Sequence, residues 1–253
     1  MTLEKQLKKR KNISFFDKNK IPDKKIIEEI LEKAHYLTPH KNNFYDYEIE
    51  VYGPDYDEEK KYVAMSTVCS SGKKKYTKPD ATAEDFKELE SVYDKWIKFH
   101  HNRDIKTDED LYNFFKNNNN IHFNNQVRAP YLLVYTKRDT LLTDSQLNSN
   151  YFKSGKMGDI FKLDIKKRRE MWLVQAGMHG IITSSLAVEK GLNASFCKCF
   201  FYNTHLHSNI LRKAKKSSEN IAFLLGIGFE DENKKHYYSN VPKPLKNEIV
   251  KWK

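Results

Sequence analysis

Cysteine is nearly absent: Cys69, Cys197 and Cys199 are the only three in 253 residues. An odd count spread so unevenly fits neither a disulfide framework nor a secreted disulfide scaffold. Glycine is also scarce, at nine residues, and no Gly-x-Gly-x-x-Gly, Gly-x-x-x-x-Gly-Lys or Gly-x-Ser-x-Gly pattern occurs. A dinucleotide fingerprint, a P-loop and a serine-hydrolase elbow therefore lack support. The charged stretch Met1 to Asn12 is not followed by the apolar segment of a secretory signal. The most apolar run, Leu173 to Val188, contains Gln175, His179 and several Ser/Thr. It falls short of the about 20 residues that a membrane span needs. These absences predict a soluble, cytoplasmic protein without membrane contact. Arginine is the last scarcity, at seven of 45 basic residues. Base-edge readout and bidentate phosphate grips favour the arginine fork, whereas lysine is a hydrated point charge. The net charge of +11 thus reads mainly as a lysine-rich solvated surface, and nucleic acid is not the expected partner.

What is present is core material. At 39% hydrophobic and 13% aromatic residues, the chain can build a sizeable interior, which excludes global disorder. Residues 1–37 read as helix, loop, helix: Pro22 and Asp23 mark the second start, and Ile26, Ile27, Ile30, Leu31 and Ala34 recur at helical spacing. Tyr47 to Tyr52 alternates as a strand and ends at the turn pair Gly53-Pro54. Helical patterns near 83–100 and 108–116, with interleaved aromatics, make 55–126 a folded helical insertion. Ala129 to Thr136 is a buried strand, and 137–163 is a polar connection. A long helix is predicted from Ile165 to Lys190, with Gly191 as its C-cap. Its small residues Ala176, Gly180 and Ser184 recur every fourth position, a stripe that lets another helix approach. Strands are predicted at 194–201 and 221–227, with a helix over 206–214 between them. The expectation is a single α+β domain over 1–253, carrying the helical insertion at 55–126 as a lid.

Few residues have the spacing of a metal site or a nucleophile. His100-His101 and His205-x-His207 lack neighbouring carboxylates or cysteines, and Cys197-x-Cys199 lacks a second pair. Cys197, flanked by Phe196, reads as an inert buried thiol. The informative residues are polar clusters at the edges of ordered elements: Lys9-Arg10-Lys11-Asn12, the loop Thr38 to Asn43, and Lys243 between two prolines. Cations with amide side chains on loops are what a phosphorylated, hydrogen-bonding cofactor requires.

These residues resemble, in order from end to end, the nitroreductase family of FMN flavoproteins. The resemblance rests on Arg10-Lys11-Asn12-Ile13-Ser14-Phe15-Phe16, Ile21-Pro22, Pro39-His40-Lys41-Asn42-Asn43 and Arg128-Ala129-Pro130. It continues with Gly191-Leu192, Leu225-Gly226-Ile227-Gly228 and Lys243-Pro244-Leu245 through Trp252. It excludes most of 53–126. The fold it implies is nitroreductase-like, a central mixed or antiparallel sheet flanked by helices. By this resemblance Arg10, Lys11 and Asn12 meet the FMN phosphate and ring edge, with Ser14 in the same motif. Asn43, or Asn42 in the alternative register, is the flavin-contacting amide, and Lys243 is a second phosphate cation. Asn124 and Asn125 would approach the flavin from a partner subunit in a homodimer with FMN at the interface.

The departures are specific. Ser14 stands where the family usually has a cation, and Phe44-Tyr45-Asp46-Tyr47 replaces the usual Ser-x-Gln-Pro-Trp. The glycine-bearing loop over the flavin is here Phe196-Cys197-Lys198-Cys199-Phe200, which restricts close backbone approach. Lys198 would supply positive charge beside the reduced ring instead. The implied activity is NAD(P)H-driven, ping-pong reduction of an electrophilic acceptor of nitroaromatic, quinone or enone type. No protein side chain is assigned as catalytic, because the flavin N5 carries the hydride. Two alternatives stand beside it: a specialised dehalogenating or ring-cleaving relative, and a basic nucleic-acid- or protein-binding relative that has lost FMN.

Overall fold

The computed structural model describes residues 3–13, 15–40, 45–67, 76, 82–101, 107–117, 121, 123–138, 143–150, 171–199, 221–233 and 246–250. Strands β1 (Tyr47–Tyr52), β2 (Tyr131–Lys137), β3 (Asn193–Cys197) and β4 (Ile221–Gly228) make one sheet in the order β1-β2-β4-β3, and every pair is antiparallel. The two central strands are buried along almost their whole length. Their sequences, Tyr-Leu-Leu-Val-Tyr-Thr and Ile-Ala-Phe-Leu-Leu-Gly-Ile-Gly, are therefore apolar runs rather than alternating ones, because both faces of the sheet are covered. Leu132, Val134 and Leu224 join one apolar cluster, and Tyr131, Leu133, Tyr135, Leu225 and Ile227 join another on the opposite face. A register shift opposite Tyr135 and Thr136 lets Ile221 face the first cluster and Ala222 the second.

One face is covered by α2 (Lys24–Leu37) and the long helix that precedes β3, against which α1 (Leu3–Lys9) packs. In α2 the Asp23 side chain caps the start by accepting from the Lys25 amide at 2.9 Å, and Ile27, Ile30 and Ala34 are buried. The other face is covered by α3 (Asp57–Met65), α4 (Ala83–His101) and α5 (Asp108–Asn117). Trp96, Leu89 and Val92 of α4 and Phe114 of α5 pack with Leu132, Val134 and Leu224 of the sheet. The helices α3, α4 and α5 thus supply the third layer and, in Trp96, the largest fully buried side chain among the described residues.

A short helix, α6 (Asp144–Leu147), begins with a capping box of Thr143 and Gln146 inside the predicted polar connection. The long helix α7 (Met171–Glu189) follows; residues 165–170 of its predicted span lie outside the described residues. Gly191 ends it with φ +77°. Leu192 N–H bonds the Ala187 carbonyl and Gly191 N–H the Val188 carbonyl, a Schellman cap. At 19 residues α7 is long and apolar enough to cross a membrane, contrary to the sequence expectation, yet half of it is buried inside the protein. The small-residue stripe also has another use. A Cβ on Gly180 would sit 2.6 Å from the Phe223 ring and 3.1 Å from that of Phe196. At Gly180 it is the sheet that approaches closely, not a second helix. The last described helix, α8 (Lys246–Ile249), lies in the tail; the predicted helix at 206–214 falls outside the described residues.

Candidate functional site

The described candidate residues lie along β3. As the chain leaves α1, Asn12 forms a parallel bridge with Ala194, and the Ile13 N–H reaches the Ala194 carbonyl at 3.4 Å. Asn12 Oδ1 accepts from the Phe196 N–H at 2.8 Å. From the other side, Gln126 Nε2 donates to the Phe196 carbonyl at 3.1 Å and to Ser195 Oγ at 2.8 Å. Both backbone groups of Phe196 are therefore held by amide side chains from distant parts of the chain.

Gln126 belongs to a 3-10 turn, Asn125–Arg128, that crosses the sheet before β2. Two glycines of β4 make room for it. A Cβ on Gly226 would lie 2.7 Å from the Gln126 carbonyl oxygen, and one on Gly228 would lie 2.6 Å from the Pro130 ring. The Gly226-Ile227-Gly228 motif is thus a seat for this turn, and through it the glycines set where Asn125 and Gln126 stand.

Arg10 is half-buried, and its Nε is shielded from solvent with no hydrogen-bond partner among the described residues. Lys11 is exposed and pairs with Glu230 at 3.2 Å, an interaction worth little at a surface. Lys198, exposed, follows β3 directly, and the adjacent Cys199 N–H turns back to Cys197 Sγ at 3.2 Å. Cys197 itself is buried, as expected for a strand thiol. The fold therefore ranges these residues along β3: Lys11, through Glu230, stands at the strand's start beside Asn193, Asn12 and the turn carrying Asn125 clasp its middle, and Lys198 lies just past its end. Ser14, Asn42, Asn43 and Lys243 lie outside the described residues. Among the described residues no group of His, Cys, Asp and Glu could hold a metal ion. The donor set fits FMN in kind: an orphaned guanidinium N–H and surface cations for a phosphate, and amides for a heterocycle edge.

Two further groups of polar residues escaped the sequence reading. Between α2, β1 and α7, Tyr135 Oη lies 3.0 Å from His179 Nδ1, which also contacts Thr183 Oγ1 at 3.1 Å. Tyr47 stacks on Tyr135, and His40 lies 3.2 Å from the Tyr47 hydroxyl. Burial pushes the Tyr47 and Tyr135 hydroxyls far above their ordinary range and holds the His179 imidazole down to about 4. His179 is a neutral core partner at physiological pH. The second group lines a cavity of about 330 Å³ between α3, α4 and the 3-10 turn, with Lys60 and Arg128 among its walls. Nothing in the spacing of Lys60-Lys61 distinguishes them from the other lysine pairs of the surface.

No protein-family model matches the chain, and no curated protein matches it in sequence. Solved structures do match its fold. A provisionally named NAD(P)H:FMN oxidoreductase of Staphylococcus epidermidis aligns with TM-score 0.59 and 14% identity, over 99% of this chain and 95% of its own. A nitroreductase-like family protein of Bacillus cereus aligns at 0.57 and 12%, over 100% and 96%. The FMN- and NADPH-dependent nitroreductase NfnB of Sphigopyxis sp. strain HMH aligns at 0.54 and 15%, over 100% and 99%. The antiparallel sheet, its helical layers and these end-to-end alignments give this chain the nitroreductase-like fold.

Proposed function

We propose that this chain is an FMN-dependent oxidoreductase that draws on NAD(P)H to reduce an electrophilic acceptor. The observation that carries the reading is that, on a nitroreductase-like fold, Asn12 and the Asn125–Arg128 turn clasp β3 at Phe196, with the Arg10-Lys11 pair leading into the strand's start and Lys198 just past its end. When bound, FMN supplies the two-electron chemistry that links NAD(P)H oxidation to reduction of a nitroaromatic, quinone or enone. The chain's own part is to bind and orient. Arg10 offers its unpartnered Nε and its charge to the phosphate. Lys11 adds charge beside it at the cost of a weak surface pair with Glu230. Asn12 and Gln126 fix the strand end, and Lys198 contributes positive potential there.

A homodimer accompanies this reading. Val174 and Ile181 on α7 are 54% and 37% exposed, and nothing lies within 4 Å of a Cβ built on Gly177 between them. An apolar strip at helical spacing on the outward side of a core helix suits a second copy.

The decisive measurement is the absorbance of the purified protein. Flavin bands, or their appearance after incubation with FMN, are expected. A colourless protein that takes up no added FMN overturns the proposal. Arg10→Ala is expected to lower FMN retention by about tenfold, the worth of a charge-assisted hydrogen bond; unchanged retention removes Arg10 from the phosphate site.

A further inference from the structure

We infer that the cavity between α3, α4 and the 3-10 turn is a binding site for a small organic carboxylate with an apolar body, gripped by Arg128 and Lys60. It is separate in its residues from the β3 end, and it does not depend on the flavin reading.

The first observation is an unneutralised guanidinium. Arg128 lies near the rings of Phe15 and Trp96, with its Cζ 6.0 and 5.8 Å from their centroids. Its Nε and Nη1 are shielded from solvent without hydrogen-bond partners, and no carboxylate among the described residues stands within ion-pair distance. Asp231 and Tyr93 lend only longer-range support, and burial draws the guanidinium down to about 10, still charged at neutral pH. Burying a charge without a counter-charge is costly. A fork set beside two aromatic rings is at the same time a preorganised grip for a planar carboxylate.

The second observation is Lys60, 4% exposed. Its ammonium donates to the Pro130 carbonyl at 3.0 Å, and its nearest carboxylate, the exposed Asp57, stands 3.8 Å away. An ammonium has three protons, so donor capacity remains on the cavity side. Lys61 is different: Glu90 and Asp94 hold it at 3.0 and 3.1 Å, which takes it out of the grip.

Shape and sign select the ligand. At about 330 Å³ the space suits a small molecule rather than a single ion. Phe16, Ile21, Ile97 and Val127 offer apolar wall. Lys18 also lines the cavity, as do Asp57, Glu58 and Asp94, the last paired with Lys61, so a dianionic phosphate meets more like charge from Asp57 and Glu58 than a monoanion does. One carboxylate on an aromatic or aliphatic body satisfies the two cations and the walls together.

Phenylacetate is the probe, titrated into the protein as purified, with binding read by calorimetry. Inorganic phosphate and neutral phenylacetamide serve as controls. Saturable binding of phenylacetate, with phosphate and phenylacetamide at least about tenfold weaker, is expected. Arg128→Gln and Lys60→Met should each weaken phenylacetate by about tenfold, whereas Arg10→Ala should leave it unchanged. Arg128→Lys, which keeps the charge and loses the fork, should fall between. Circular dichroism confirms that each variant is folded; if Arg128→Gln does not fold, Lys60→Met carries the same reading. No phenylacetate binding, equal binding of the amide, preference for phosphate, or binding lost with Arg10 but kept with Arg128→Gln would each overturn the inference. Failure of the flavin test leaves all these readouts intact.

Discussion

Gly226 links one missing side chain to the placement of the whole candidate site. The atom a Cβ would strike is the backbone oxygen of Gln126, at 2.7 Å, with the Ala129 Cβ at 2.8 Å. Backbone cannot rotate aside as a side chain can, so the 3-10 turn itself must lift. Gly226→Ala is expected to cost about 1–3 kcal/mol, the range for overpacking a filled interior, measured by urea unfolding. It should also lower FMN retention, because Gln126 then loses its hold on Phe196. Retention and stability both matching the parent would mean that the turn does not rest on Gly226. In the sequence, Gly226 and Gly228 were legible only as motif letters. The reason for them, a turn contributed from about a hundred residues earlier, is a tertiary contact that no local pattern carries. Gln126 was illegible for a similar cause: an amide in a polar stretch looks the same whether it grips a strand or faces water.

Among the elements, α2, β1, α4 and α5 were readable because their apolar positions follow the helical or strand period, and β2, β4 and α7 because they are continuous apolar runs. The helix α3 was not. Its sequence Asp-Glu-Glu-Lys-Lys-Tyr-Val-Ala-Met puts Lys60 and Lys61 on the buried side, against the rule that lysine faces solvent. Only the cavity and the Glu90/Asp94 pair explain that placement. The helix α7 carries the pH dependence. The His179 imidazole is held down to about 4 in the folded protein, against about 6.5 when unfolded. Between those values the unfolded chain binds the extra proton, so folding stability is complete above about pH 6.5 and declines as pH falls toward 4. The full loss from this one group is about 3 kcal/mol. Urea midpoints at pH 7.5 and 4.5 should differ accordingly, and His179→Gln should reduce the difference. An unchanged difference in that variant would assign the pH dependence to other groups.

For the whole molecule, the three-layer arrangement leaves α7 with one face against the sheet and an apolar strip outward. In the proposed dimer that strip is covered. Ile181→Asp places a charge on it and should shift the protein to a monomer in sedimentation velocity, with FMN retention falling alongside if the sites are shared between subunits. A dimer unaffected by the change would place the interface elsewhere. The order β1-β2-β4-β3 also leaves β3 as an outer strand, with one line of peptide groups turned away from β4. Asn12 and Ile13 lie along that line, bridging to Ala194 and Phe196. Unpaired strand edges recruit other chains into intermolecular sheets. The N-terminal arm that carries Arg10 is therefore also the guard of an adhesive border, and under the proposed flavin reading the determinants of cofactor capture and of colloidal solubility would share the same few peptide bonds.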